Sequence, residues 1–160
     1  MSILIRPDCK RRRIVVTSAA IAAVAGSSIT APSVLAMSDD LAAAVLAATK
    51  GQPVRAEKVT LDIAPLVENG NTVPVTITVD SPMTAGDHVL SIALFNERNP
   101  QREVASFTLG PRAGRASVST RIRLATSQKL VAIAHTSDGA YWSASADVIV
   151  AIAACLEGDD

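Results

Sequence analysis

Aromatic side chains are nearly missing from this chain: its 160 residues hold two Phe, one Tyr and one Trp. A core must therefore rely on Val, Ile, Leu and Ala, and Phe95, Phe107, Tyr141 and Trp142 offer little for stacking bases. Cysteine and histidine are as scarce, at two each, too few for a convincing all-protein zinc site. No G-x-S-x-G turn or paired acidic motif accompanies His88 or His135, so both read as structural histidines in or beside strands. Trp142 reads as core filling. Cys–Trp–Cys spacing, internal repeats and low-complexity linkers are absent too. The length suits one domain with one core.

The first 36 residues stand apart. Lys10, Arg11, Arg12 and Arg13 precede an uncharged run from Ile14 to Leu35, and Val34-Leu35-Ala36 places small residues where a signal peptidase reads. Paired arginines before Ile14 suggest the twin-arginine export route, and hence the periplasm. A membrane anchor competes, because the run is long enough to span a bilayer. Its Ala, Ser and Thr content and its cleavage-like end favour removal, so no stable anchor is expected. Cys9 would leave with this leader.

Removal also changes the charge. The whole chain balances fifteen basic against fifteen acidic residues. Five of the basic residues and one acidic residue lie in the leader, which leaves ten against fourteen, a net charge of minus four. Nucleic acid, which needs a basic face, is excluded as a partner.

Residues 37–58 read as a helix and linker. Ser38, Asp39 and Asp40 can cap its start, Gly51 and Pro53 end it, and Leu41, Val45 and Ala48 share a stripe. Residues 59–152 change to a period of two. "NTVPVTITVD" alternates Val73, Val75, Ile77 and Val79 with polar or proline positions, after a turn at Asn69-Gly70. "DHVLSIALFNE" sets Leu90, Ile92 and Leu94 in step, and "EVASFTLG" does the same for Ala105, Phe107 and Leu109. In "ASVSTRIRLA", Val118, Thr120, Ile122 and Leu124 oppose Ser117, Ser119, Arg121 and Arg123. Two last strands flank Ser137-Asp138-Gly139, a tight-turn signal. Six or more β segments without long helical crossovers predict an all-β fold, an immunoglobulin-like antiparallel β-sandwich with a short N-terminal helix.

Two features suit a partner surface. Arg121 and Arg123 share the polar face of a strand, which reads first as solvated or ion-paired and second as a partner or anion contact. Met83 follows Asp80-Ser81-Pro82 in a loop, which reads first as a plain turn and second as a partner contact, where a soft side chain suits an interface.

Cys155 sits in the ending "AIAACLEGDD", the only cysteine beyond the leader. A terminal tail of this kind, residues 153–160, is expected to be mobile. If the last strand ends before Ala153, the thiol is exposed. If it continues, Cys155 shares its phase with Ile149, Ala151 and Ala153 and is a small buried hydrophobe. Spacing alone leaves both open.

The stretches "VENGNTVPVTITVDSPM", "NPQREVASFTLGP", "VSTRIRLA" and "SDGAYWSASADVIV", in this order, resemble SoxY, the carrier subunit of the bacterial sulfur-oxidising (Sox) thiosulfate system. The resemblance covers about two thirds of the chain, from near Val59 to Cys155. It implies a sandwich paired with a second β-sandwich subunit, SoxZ. It also implies a carrier with no catalysis or cofactor of its own. Sulfur would be held covalently on Cys155, while periplasmic sulfur-oxidising enzymes and cytochromes act on it. Ala153, Ala154, Leu156, Glu157 and Gly158 would be the swinging arm.

The arm departs from the family's usual Gly-Gly-Cys-Gly-Gly ending. Ala153, Ala154, Leu156 and Glu157 stand at the four glycine positions, which removes backbone freedom, and Leu156 and Glu157 add bulk beside the thiol. Nearby carboxylates disfavour a thiolate and repel an anionic donor, by about 0.2–1 kcal/mol for each exposed pair. That departure motivates a second reading, a non-carrier SoxY-like module that binds a SoxZ-like partner or a redox enzyme. A Cys155–Cys155 disulfide dimer is a third.

Overall fold

The computed structural model describes residues 37–152. In chain order these form α1 (Asp39–Ala48), β1 (Val54–Arg55), β2 (Val59–Asp62), β3 (Leu66–Asn69) and β4 (Val73–Val79). There follow β5 (Val89–Asn96), β6 (Glu103–Thr108), a 3-10 turn (Pro111–Ala113), β7 (Ser117–Ile122), β8 (Gln128–Thr136) and β9 (Tyr141–Ile152). One sheet has the order β1-β9-β8-β5-β6, with β3 also on β9, and the other runs β2-β4-β7. The expected sandwich is present, with one difference: β1 and β3 both run parallel to β9. Short segments far from β9 in sequence have chain enough to arrive in either direction.

Alternation explains the core. In β4, Val73, Val75, Ile77 and Val79 are buried, while Pro74 and Thr78 face solvent. From β7 and the residues after it, Ile122 and Leu124 join them, with Val118 half-buried. In β5 the expected phase slips. A bulge between Val89 and Ser91 puts Val89 into the core with Ile92 and Leu94, and Leu90 is only half-buried. An extra residue in one strand shifts every side chain before it to the opposite face. A second irregularity, between Leu94 and Phe95, lets Val104 of β6 pack on the core, and Ala105 and Phe107 stay half-buried on this edge strand.

A second cluster lies outside the sandwich, on the far face of β5 and β8. There α1 buries Leu41 and Val45 against Phe95, Val131, Ile133 and Tyr141. The helix stripe continues to buried Thr49, four residues after Val45, and Ala48 is exposed, one position off the expected line. Ser38 precedes the helix, but its hydroxyl makes no cap and is buried without a partner. Asp40 instead binds Arg102 at 2.9 Å, tying the helix start to the loop before β6. At the other end, Lys50 and Gly51 both turn left-handed, and Gly51 N–H closes the helix on Leu46 O at 2.9 Å.

The β8–β9 hairpin is held by a polar chain that runs from buried Trp142 and Thr136 out to exposed Asp138. Trp142 Nε1 donates to Thr136 Oγ1 at 3.2 Å, and Thr136 Oγ1 donates to Asp138 Oδ1 at 2.6 Å. Gly139 takes a φ of 84°, which the turn requires. The hydroxyl of Thr136, then the N–H of Ala140, hold the Asp138 carboxyl below its ordinary range.

Two outcomes follow from this packing. Leu41→Ala should cost about 2–5 kcal/mol in urea unfolding, since it opens a cavity under the helix; a cost near zero would show that α1 adds nothing. Asp138 is ionised more readily folded than unfolded, so its contribution is full above the unfolded carboxylate pKa and fades as pH falls through the folded one. Asp138→Asn should therefore be less stable than the parent at pH 7, with the gap closing on acidification; a gap independent of pH would contradict this.

Candidate functional site at the end of the last strand

Cys155 lies outside the described residues, as do Ala153, Ala154, Leu156, Glu157 and Gly158 and the leader. The structure does describe what leads up to them. From Tyr141 to Val148, β9 pairs with β8. Beyond Val148 its neighbour becomes β3, with Leu66 beside Ile149, Val67 beside Val150 and Asn69 beside Ile152. Ile149 N–H donates to Pro65 O at 2.8 Å, and Ile152 O accepts from Gly70 N–H at 3.0 Å. On the edge that β8 has left, Val150 N–H donates to Ser127 Oγ at 2.9 Å. Gly70 O in turn accepts from Leu124 N–H at 2.8 Å, linking this corner to the second sheet. The backbone is thus held up to Ile152, three residues before the thiol.

Ile149 and Ala151, the phase that a continued strand would share with Cys155, are exposed. The described strand therefore supplies no buried face for the reading of Cys155 as a packing residue.

The other candidates separate. Arg121 and Arg123 are both exposed, and no carboxylate among the described residues lies within ion-pair distance of either. Arg121 stands opposite Pro74, while the Arg123 carbonyl accepts from Asn99 Nδ2 at 2.7 Å. They form a solvated basic face. Met83 corrects the expectation. It does lie in a loop, but with a φ of 50° its side chain turns inward, 6% exposed, and Sδ accepts the Val89 N–H at 3.4 Å. It belongs to the core and presents nothing to a partner.

His135 stacks on Tyr141, with ring centroids 4.4 Å apart, and His88 is anchored by its backbone to Ser137. Trp142 is buried, as expected, and Lys58 Nζ lies 4.6 Å from its ring centre. Among the described residues no group of three or more His, Cys, Asp or Glu gathers that could hold a metal ion.

Sequence reasoning missed β3 and Ser127. "APLVENG" shows no alternation, because Val67 is the one side chain of β3 that packs on the core, and a serine that bonds a backbone N–H leaves no pattern.

Comparison with known proteins adds the family. The model of the sulfur oxidation protein SoxY matches residues 44–155. The chain belongs to the SoxY family. Among solved structures it is similar to the sulfur carrier protein SoxY from Chlorobium limicola f. thiosulfatophilum. The identity is 30% and the TM-score 0.59, over 70% of this chain and 96% of that one. A superoxide reductase (neelaredoxin) from Ignicoccus hospitalis shares 19% identity at a TM-score of 0.53, over 60% and 82% of the two chains. One from Nanoarchaeum equitans shares 15% at 0.52, over 60% and 100%. These two share the fold alone. Curated proteins contain no match.

Within this SoxY-family chain, the bond from Ser127 to β9 is open to test. Ser127→Ala should speed amide exchange at Val150 by about fivefold, the equivalent of one ordinary hydrogen bond, with exchange in β8 unchanged. Unchanged exchange at Val150 would mean that β3 alone holds the strand end.

Proposed function

We propose that this protein is an exported sulfur carrier of thiosulfate oxidation, holding sulfur intermediates covalently on Cys155. The observation that carries the reading is the extent of the family match, which runs to residue 155, the cysteine itself. Similarity to a solved sulfur carrier over 96% of that protein supports the same role.

The chemistry needs a thiol and a route for electrons. Joining the Cys155 sulfur to the outer sulfur of thiosulfate forms one S–S bond. It releases the thiol proton and two electrons, which a cytochrome partner accepts. Oxidation or hydrolysis of the attached group then takes place in visiting enzymes, and the Cys155 S–S bond stays open to attack by another thiol. The carrier contributes presentation alone, on a SoxZ-bound sandwich in the periplasm.

The replaced glycines around Cys155 favour a second reading, in which the sandwich is kept for binding a SoxZ-like subunit or a redox enzyme. Intact mass of the mature protein separates the two, measured without reductant from cells oxidising thiosulfate. A reductant-labile adduct confined to the Cys155 peptide is expected, with Cys155→Ser unable to sustain oxidation where no other carrier is present. An unmodified thiol, beside a separate loaded SoxY in the same cells, would overturn the carrier reading in favour of the binding module.

A further inference from the structure

Four large apolar side chains are exposed among the described residues, and three of them stand at the same corner. Leu66 is 61% exposed, Ile149 60% and Ile152 65%, whereas Leu46 at 59% is alone on α1. Leu66 and Ile149 are register partners on adjacent strands, so their side chains lie side by side on the outer face. The alternate residues, Val67 and Val150, pack on the core. Exposed Ala151 extends the patch toward the strand end, and beyond Leu66 the surface opens into a groove of about 330 Å³ lined by Ile63, Val67 and Val73.

The rim of this patch is acidic. Glu68, two residues after Leu66, is exposed on the same face. Asp147, two residues before Ile149, is 73% exposed and bound at 2.9 Å to Lys129, whose own side chain is nearly buried. The basic side chains of the corner, Arg121 and Arg123, belong to β7 and the residue just past its end, in the second sheet.

We propose that the Leu66–Ile149 face is the surface on which an enzyme receiving the Cys155 arm docks, and that this enzyme offers an apolar contact bordered by basic side chains. The inference rests on the carrier reading above. Two arguments fix the occupant. The size suits a visitor: a stable subunit interface takes roughly 20–30 residues a side, far more than this patch supplies, and a carrier has to be released after each step. The charge suits an enzyme whose mouth admits anionic sulfur groups, since basic residues there complement Glu68 and Asp147. Docking three residues upstream of Ile152 also places the thiol within about 20 Å of the contact, the reach of six extended residues.

The test follows rate against carrier concentration in the reconstituted thiosulfate-oxidising enzymes of the same cells, using the mature protein. Leu66→Ser combined with Ile149→Ser should raise KM for the carrier about tenfold with kcat unchanged. Leu46→Ser, equally exposed but remote, should leave KM alone. Salt should raise KM of the parent, and less so that of Glu68→Gln. Alkylation of Cys155 by iodoacetamide should run at the parent rate in the double variant, showing that the thiol itself is unaltered. Unchanged KM in the double variant, or an equal rise in Leu46→Ser, would overturn the docking face while leaving the carrier role intact. Failure of the parent itself to support turnover would overturn the carrier role, and the docking face with it.

Discussion

The backbone ladder of β9 is the constraint on which the rest of the molecule depends. This one strand of twelve residues runs from the hairpin turn to the last described residue, and every other part of its sheet is placed relative to it. Its first half is flanked by β8 and β1, its last four residues by β3. A strand leaving its neighbour exposes backbone groups that must find new partners. Here Pro65, Gly70 and Ser127 provide them. The residue pairs that result decide which side chains face the core and which face solvent, all the way to Ile152.

Under the carrier function proposed above, this arrangement divides labour between a held strand end and the cysteine beyond it. The sandwich contains no cluster that could act as a metal centre among its described residues, and its histidines serve packing and anchoring. What it does supply is a well-defined point of departure for the chain. Gly70 joins that point to both sheets, through Ile152 on one side and Leu124 on the other. The pair Leu66 and Ile149 exists only because β3 pairs with β9 in that register; a shift of β3 by one residue would turn Leu66 toward the core and leave Ile149 alone on the outer face.

The two ends of the sandwich differ in character. Around the β8–β9 turn, polar groups are paired: buried Trp142 and Thr136 bond in sequence to exposed Asp138, and Lys58 lies over the indole. The opposite end mixes exposed apolar, acidic and basic side chains. A paired network fixes geometry, whereas exposed apolar groups beside unlike charges are free for another molecule. Helix α1 belongs to neither end. It covers the outer face of β5 and β8, which removes an apolar surface that would otherwise compete with the Leu66–Ile149 patch.

Much of the fold is legible in the residues alone, because alternation in β4 and β7 and the Ser137-Asp138-Gly139 turn are local signals set by the two-residue period of a strand. The terminal cysteine and its altered surroundings are legible too, since position and residue type need no coordinates. Tertiary structure decided the remainder. Met83, on a left-handed backbone, turns inward so that its Sδ accepts the Val89 N–H, and a bulge puts Val89 rather than Leu90 into the core. The Ser38 hydroxyl goes unused as a cap while Asp40 binds Arg102, sixty-two residues away. The parallel pairing of β3 with β9 joins segments more than eighty residues apart, and no local pattern encodes a contact of that range.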